Sequence, residues 1–347
     1  MRIRPAEFLA WGLIAASMAM PKSTAAQGLM VTGYADLVAI VDKIGSDNKE
    51  FYFDNYHFNM IFQGNITSDL FVGAEVEYEH GGEELEFEYG FLGYTGIDGL
   101  KIMAGKFIVP FGRFNRDLHP TWINKLPDRP NGFKDILPQT YSDVGIWISG
   151  GIAAGTSGNR FVYDAWAING LLGDEGAGIR GLRDNDRDKL SGGGKDDNKM
   201  VGARVGFDFA PAGFDIAVSV QTGNYLDDPD RDLTLTLLGA DAAYRINDLE
   251  LRGEIVRGNQ ETFTDDLIKT GGYVQAAYRA GPKVEPVIRW SARGMPGESA
   301  DQSRLSFGLN FFVSASSSVR VAYHINSEAD GFEKDNDTLA LQWNVVF

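Results

Sequence analysis

The sequence predicts an all-β fold, a 16-stranded antiparallel transmembrane β-barrel with short periplasmic turns and long outer loops. Three observations lead to this prediction: apolar and polar residues alternate along most of the chain, short and long connections alternate, and the strand count is even. Most of the predicted strands are also close to the roughly 9–11 residues that a tilted strand needs to cross a bilayer.

The alternation is clearest over residues 70–79, where every second residue is apolar and glutamates occupy positions between them. One predicted face carries Leu70, Val72, Ala74, Val76 and Tyr78, and the other carries Glu75, Glu77 and Glu79. After a turn at 80–83 the pattern resumes and predicts a second pair of faces. These are Leu85, Phe87, Tyr89 and Phe91 on one side, and Glu84, Glu86 and Glu88 on the other.

The same period of two predicts sixteen strands, with boundaries that are good to a few residues. They are 29–41, 51–63, 70–79, 84–97, 100–107, 142–153, 160–170, 200–210, 214–225, 233–244, 249–257, 271–280, 283–294, 303–314, 318–326 and 337–347.

The predicted connections are short after the even-numbered strands and mostly longer after the odd-numbered ones, up to 108–141 and 171–199. The connection at 80–83 is the exception. Short turns at one rim and long loops at the other are typical of a bacterial outer-membrane barrel with both chain ends in the periplasm. A soluble β-sandwich has the same residue alternation, but it has no reason to alternate its loop lengths in this way.

The first residues have the three-part pattern of a secretory signal peptide. Arg2 and Arg4 precede an apolar stretch from Phe8 to Met20, and small residues follow at 23–26. We therefore expect residues 1–26 to be cleaved near Ala26 and residues 27–347 to form one barrel domain in the bacterial outer membrane. The alternative is a short amphipathic terminal helix. No apolar run after the leader reaches the roughly 20 residues of a helical span.

Composition excludes several kinds of site. The chain has no cysteine, so it holds no disulfide and no thiolate metal site. Its net charge of −16 argues against nucleic acid as a partner, because nucleic-acid binding depends on basic surface. The 42 glycines and 12% aromatic residues fit a barrel, but they also fit a soluble all-β protein.

The segment 339–347 alternates strictly and places apolar residues at every second position. Phe347, Val345 and Trp343 on that face resemble the signal that the outer-membrane assembly machinery reads. Because a barrel in lipid leaves no strand edge unpaired, we expect this segment to pair with the strand near 29–41.

Several short motifs, in order along the chain, resemble the phosphate-selective porin (porin O and P) family. They are Pro110-Phe111-Gly112, Asp143–Gly150, Asn169-Gly170, Gly239–Tyr244 followed by Leu251–Glu254, and Glu285–Trp290. The resemblance implies a 16-stranded trimeric barrel that carries out general transport, in contact with outer-membrane lipid and lipopolysaccharide. The arginine ladder and lysine cluster of phosphate-binding members cannot be mapped onto this sequence, so phosphate selectivity is not carried over.

The connection 108–141 is the predicted functional segment, because long structureless connections are uncommon unless they are functional. In the position that the resemblance gives it, the loop folds into the pore and narrows it. Five prolines stiffen it, and its basic residues outnumber its acidic ones. The predicted constriction residues are Arg113, Arg116, Lys125, Arg129 and Lys134, facing Asp117, Asp128 and Asp135. The alternative is a solvated outer loop that stays outside the lumen.

Strand parity also predicts charged lumen walls of opposite sign. The acidic wall is Glu75, Glu77, Glu79, Glu84, Glu86 and Glu88, and the basic wall is Arg204, Arg252, Arg279, Arg289 and Arg320. Such walls create a field across the pore that sets its selectivity. The alternative is that these residues pair with one another and only fill the wall.

Together these features predict a passive diffusion channel for small hydrophilic solutes or ions, with the negative net charge favouring cations. A sealed barrel that serves as scaffold or adhesin, and a barrel hydrolase, are the alternatives. No catalytic motif accompanies His57 or His324, and we expect no cofactor and no metal site. The acidic runs 184–188 and 228–232 lack the glycine and glutamate of a calcium loop, so they are interpreted as solvated loop charge.

Overall fold

The computed structural model describes residues 28–118, 120–171, 199–225, 232–294 and 301–347. Within these residues, sixteen antiparallel strands form a closed barrel in which each strand pairs with its neighbours in sequence and the last pairs with the first. This confirms the predicted fold class.

The strands follow the predicted order, and most boundaries lie within a few residues of the predicted ones. They are β1 (Met30–Ile44), β2 (Glu50–Asn65), β3 (Leu70–Glu79), β4 (Glu84–Ile97), β5 (Leu100–Ile108), β6 (Ser142–Ala153), β7 (Arg160–Ile168), β8 (Met200–Phe209), β9 (Phe214–Asn224), β10 (Thr234–Ile246), β11 (Leu249–Gln260), β12 (Leu267–Tyr278), β13 (Val284–Gly294), β14 (Gln302–Ser314), β15 (Ser317–Glu328) and β16 (Asp337–Val346).

The barrel closes between β1 and β16, as predicted. The register runs from Tyr34 opposite Val346 to Val41 opposite Leu339. Beyond it, the amides of Gly33 and Phe347 each donate to the other residue's carbonyl at 2.9 Å. A Cβ at Gly33 would lie 2.7 Å from the Phe347 ring, so a glycine at this position lets the ring lie on the backbone of β1.

The two faces of the sheet have opposite chemistry. Outward side chains are apolar and exposed: on β16, Leu341 and Trp343 are 46% and 57% exposed. The residues between them, Gln342 and Asn344, point inward and are buried. Apolar residues outside and polar residues inside are the arrangement of a barrel in lipid, where the outer band contacts acyl chains.

Connections at the two rims differ in length, which confirms the predicted alternation of short and long connections. One rim carries the short turns 66–69, 98–99, 154–159, 210–213, 247–248, 279–283 and 315–316. At the other rim, consecutive strand ends are separated in sequence by 45–49, 80–83, 109–141, 169–199, 225–233, 261–266, 295–301 and 329–336.

A β-bulge in β4 corrects one predicted face. The register places Glu75 opposite Tyr89 and Val76 opposite Phe87, so Glu88 is an extra residue between them. Leu85 and Phe87 face outward, but beyond the bulge Tyr89 faces inward. The prediction that Tyr89 and Phe91 share a face with Leu85 and Phe87 is wrong, because one inserted residue exchanges the faces of everything after it.

Arg279, predicted on an inward strand face, lies just beyond the end of β12 and is 4.0 Å from the Glu285 carboxylate on the inward face of β13. It follows β12 in the turn 279–283, where its guanidinium lies 3.5 Å from the centre of the Phe312 ring. Among the described residues, no helix has both the length and the apolar character required to cross a membrane.

Candidate functional site

The connection between β5 and β6 begins and ends at one point of the wall. The side-chain amide of Asn115 donates to the carbonyls of Val109 and Tyr141, at 2.7 and 2.9 Å. Its oxygen accepts from the Tyr141 amide at 3.0 Å, and the Val109 amide donates to the Tyr141 carbonyl at 2.8 Å. These bonds hold the two ends of the segment together, so the residues between them extend away from β5 and β6 as one loop.

That loop reaches strands that are distant from β5 and β6 around the barrel. Arg289 on β13 donates to Asp128 at 2.7 Å, and Arg304 on β14 pairs with the same carboxylate at 2.5 Å. Arg320 on β15 donates to the Trp122 carbonyl at 2.9 Å. Because these wall side chains occupy the inward face of the sheet, residues 120–135 lie inside the barrel.

Apolar packing holds the same segment against β10, β11 and β12. Phe114 and Phe133 pack on Tyr273 with ring centres 6.3 and 5.6 Å apart. The backbone also approaches the wall closely, because a Cβ built on Gly271 would lie 1.7 Å from the Gly132 carbonyl oxygen. The buried cluster around these contacts includes Phe107, Phe111, Ile136, Leu137, Tyr141, Leu235, Leu237 and Val256.

The predicted basic residues of the segment contact the barrel wall or the loop itself. Arg113 pairs with Asp241 and Asp215. Arg116 lies 3.5 Å from Asp164, and Lys125 lies 2.8 Å from Glu285. Arg129 donates to the Pro138 carbonyl at 2.7 Å, and the Lys134 carbonyl accepts from Arg293 at 3.3 Å.

The arginines of the predicted basic wall likewise bind acidic groups or the loop. Arg204 pairs with Asp241 at 2.8 Å, and Arg252 pairs with Glu250 at 3.3 Å. Arg289 and Arg320, which are 0% and 4% exposed, bind the segment. Most of this positive charge therefore holds the loop and the wall together.

Asp128 is the acidic group at which these contacts meet. Burial acts to raise the pKa of its carboxyl, but His324, Arg289 and Arg304 outweigh that effect and hold the pKa well below the usual range for aspartate. Asp128 is therefore an anion at neutral pH, held by charge-assisted hydrogen bonds.

The acidic wall lies across the barrel, on β3 and β4. Of the six predicted glutamates, Glu75, Glu77 and Glu88 are buried at 2–3% exposure, Glu79 is half-buried, and Glu84 and Glu86 are exposed near the rim. Asn59 donates to Glu75 at 2.6 Å.

Sequence reasoning missed the inward polar residues of the neighbouring strands. Tyr34, Asp36, His57 and Asn59 are all buried on the inward face beside the glutamates. Asp36 could have been found, because Asp36 stands alone between apolar neighbours in an alternating strand. His57 was passed over because no partner lies close to it in sequence.

A cavity of about 50 Å³ lies between the acidic wall and the loop, lined by His57, Glu77 and Glu79 from the wall and by Thr121, Asp128, Arg129 and Gln139 from the loop. A larger cavity of about 590 Å³ lies on the side of the short turns, lined by Phe71, Tyr89, Phe91, Phe107, Trp147 and Arg116 among others. A third, of about 230 Å³, lies between the loop and Arg304.

A sequence model of the Gram-negative porin family matches residues 12–330. The chain belongs to this family. The match covers most of the barrel and supports an outer-membrane porin channel. It does not distinguish the narrower porin O and P group within the porins. No curated protein sequence matches the chain significantly.

Solved porin structures share the fold at low sequence identity. The chain is similar to an anion-selective porin from Comamonas acidovorans, with 10% identity, a TM-score of 0.68, and coverage of 92% of this chain and 99% of that one. It is similar to OmpF of Salmonella typhi in complex with daunomycin, with 15% identity, a TM-score of 0.62, and coverage of 92% and 97%. A trimer form of OmpT from Vibrio cholerae gives 8% identity, a TM-score of 0.60, and coverage of 92% and 99%.

Three sequence predictions fall outside the described residues. They are the signal peptide at 1–26, the acidic run at 184–188, and the run at 228–232 apart from Asp232.

Proposed function

We propose that this porin is a passive diffusion channel for small hydrophilic solutes or ions, and that residues 108–141 form its constriction. The observation that carries the proposal is the pairing of the loop with the far wall through Asp128, Arg289, Arg304 and Arg320. A segment held in this way narrows the lumen at one level and leaves wider space on either side of it.

The charge around the gap favours cations. The wall arginines and most of the loop's predicted basic residues are bound to acidic groups or carbonyls, whereas Asp36, Glu75, Glu77, Glu79 and Glu88 form no ion pair with any lysine or arginine of the described chain. Carboxylates that no lysine or arginine neutralises attract cations into a narrow passage and repel anions. For the same reason we do not extend phosphate selectivity, known from porin O and P members, to this chain.

A sealed barrel that acts as scaffold or adhesin is the second candidate. The observation in its favour is the small volume of the gap, about 50 Å³, between the acidic wall and the loop. The hydrolase alternative gains nothing from the family match, which supports a non-enzymatic channel.

Reconstitution in a planar bilayer under a salt gradient separates these candidates. We expect discrete conductance steps and a reversal potential whose sign reports cation preference. Purified barrel that shifts in gel mobility on boiling, inserts, and yet gives no steps would establish the sealed barrel instead. Steps with an anion-selective reversal potential would keep the channel and refute the charge argument.

Export and assembly complete the proposal. Cleavage near Ala26 would release the barrel into the periplasm, and three copies would assemble in the outer membrane, in contact with lipid and lipopolysaccharide. Trp343 and Phe347, both exposed on the outer face, with Val345 beside them, would contact the assembly machinery.

Phe347→Ala tests the assembly contact. We expect fewer heat-modifiable barrels in the outer membrane of expressing cells, although the purified variant should still refold in detergent. Val313→Ala is the matched control, because Val313 is a 65% exposed outward residue on β14. Equal membrane yield for the two variants would contradict a specific role for Phe347.

A further inference from the structure

A histidine and two glutamates meet on the inward face of β2 and β3. Nε2 of His57 lies 3.4 Å from an oxygen of Glu79 and 3.9 Å from an oxygen of Glu77. The ligand atoms of these three residues all lie within 4.8 Å of one another. A second imidazole nitrogen, Nδ1, lies 3.2 Å from each carboxylate oxygen of Asp36.

The contact with Asp36 orients the imidazole ring of His57. When Nδ1 donates its proton to Asp36, Nε2 is the nitrogen that faces the glutamates. Metal-binding histidines are oriented in this way, with one ring nitrogen on the metal and the other donating to a carboxylate. Asp36 is fixed in turn, because it accepts from the His57 amide at 3.0 Å and from the Gln342 side chain at 2.7 Å.

The distances fit a small divalent cation. Ligands about 2.0–2.2 Å from a tetrahedral zinc ion lie about 3.3–3.6 Å apart, so the observed 3.4 Å fits and the 3.9 Å separation requires a shift of only a few tenths of an ångström. The adjoining cavity of about 50 Å³ has room for a water molecule as a further ligand.

An independent observation is a buried carboxyl group beside these ligands. Glu88, the bulge residue, is 2% exposed, and its Oε2 has no hydrogen-bond partner in the described part of the chain. It faces Glu77 and Glu75 across the β3–β4 pair. A buried, unpaired carboxylate oxygen is costly, and a cation among these groups would offset that cost.

We propose that His57, Glu77 and Glu79 bind a divalent transition-metal ion of the Zn²⁺ type at the narrow gap, with Asp36 as the positioning residue for the imidazole. Imidazole nitrogen with carboxylate oxygens suits Zn²⁺ better than Mg²⁺, which requires an octahedral set of oxygens. Ion binding at this site would also reduce the negative charge that the gap presents to a permeating cation.

Calorimetric titration of the purified barrel in detergent with ZnCl₂ tests binding directly, without a channel readout. We expect one ion per chain, with affinity reduced at least about tenfold in His57→Gln and in Glu79→Gln, and no competition from equimolar Mg²⁺. Asp36→Asn should weaken binding less than either ligand change. Since Glu79 is the least buried of the three ligands, Glu79→Gln provides a variant that is expected to fold even if His57→Gln does not.

His80→Gln is the matched control, because His80 is exposed and near Glu79 and Glu84 at the rim. Loss of binding in His80→Gln with full binding in His57→Gln would assign the ion to the rim and overturn the proposal. Absence of binding in the unmodified protein would also overturn it, leaving His57 as an imidazolium paired with carboxylates. The inference rests on the proposed pore only for access of the ion, and conductance measured without zinc tests that function separately.

Discussion

At the scale of single residues, Arg289 on the barrel wall is one of the contacts that join the loop to β13, β14 and β15. Its fully buried guanidinium bonds to the Asp128 carboxylate and to the carbonyls of Asp128 and Arg129. Breaking a buried ion pair by removing one partner costs about 3–5 kcal/mol. Since Arg304 continues to pair with Asp128, we expect Arg289→Ala to lower the free energy of unfolding by an amount near the lower end of that range.

The loss in Arg289→Ala should appear in two measurements. Urea unfolding in detergent should report the reduced stability, and single-channel recordings should show larger, noisier conductance as the loop moves away from β13. Arg245→Ala is the control: its exposed pair with Glu250 is of the class that contributes about 0–1 kcal/mol. Unchanged conductance in Arg289→Ala would contradict the role of this contact in holding the constriction.

The pKa of Asp128 predicts how the constriction responds to acid. Its pKa is lower in the folded protein than in the unfolded chain, so its ionisation stabilises the fold above the ordinary aspartate range. That stabilisation is lost only as pH falls through the depressed folded value. We therefore expect the loop contacts of Asp128 to survive from neutral pH down through about pH 4, the usual range of an aspartate.

Asp128→Asn checks the sign of this effect. The variant lacks the ionised carboxylate at every pH, so at neutral pH it should already show the noisier conductance that the unmodified protein develops only in stronger acid. The titratable and charged groups that face Asp128 are His324, Arg289 and Arg304. A transition of the unmodified protein between pH 7 and pH 5 that Asp128→Asn removes would show that the pKa is not depressed.

At the scale of elements, the close approach of the loop to β12 depends on two glycines. A Cβ at Gly271 would lie 1.7 Å from the Gly132 carbonyl oxygen, and one at Gly132 would lie 2.2 Å from the Gly272 carbonyl oxygen. Backbone atoms cannot yield as a flexible side chain can, so Gly271→Ala must displace the loop. Overpacking of this kind costs about 1–3 kcal/mol.

We expect Gly271→Ala to change conductance and to make residues 120–135 more accessible to protease from the outer side. Gly64→Ala is the matched control, because the nearest atom to its added Cβ is a side-chain carbon at 3.5 Å, an ordinary contact. If Gly271→Ala behaves like Gly64→Ala in both measurements, the loop does not depend on this contact.

The elements also show what sequence could and could not predict. The strands, their order and the rhythm of the connections follow from period-two alternation, which is a local property. The bulge at Glu88 could not be predicted from the sequence pattern, because the alternation of polar and apolar residues from Glu84 to Tyr89 continues through the inserted residue. The contacts of Asp128 with Arg289 and of Gly132 with Gly271 join residues more than a hundred positions apart, and no local pattern encodes them.

For the molecule as a whole, strand parity predicted the sign of the charge on each wall. It did not predict which of those charges are paired. The glutamates of β3 and β4 and the arginines of β13 and β15 do face inward. The arginines are bound to the loop, whereas Glu75 and Glu88 form no ion pair with a lysine or arginine among the described residues. Long-range pairing determines which charges a permeating ion meets, and one sequence does not reveal that pairing.

This imbalance predicts the selectivity of the whole channel. Glu75 and Glu88 are buried near the gap and are not ligands of the proposed metal site, so changing both to glutamine removes negative charge with little change of shape. We expect the cation-over-anion permeability ratio of Glu75→Gln/Glu88→Gln to fall toward unity, measured as the reversal potential under a salt gradient without zinc.

Glu84→Gln/Glu86→Gln is the control, since both glutamates are exposed at the rim and salt screens their charge within about 10 Å. An equal shift in the two double variants would place the selectivity at the outer rim, and no shift in either would show that the buried carboxylates are already neutral.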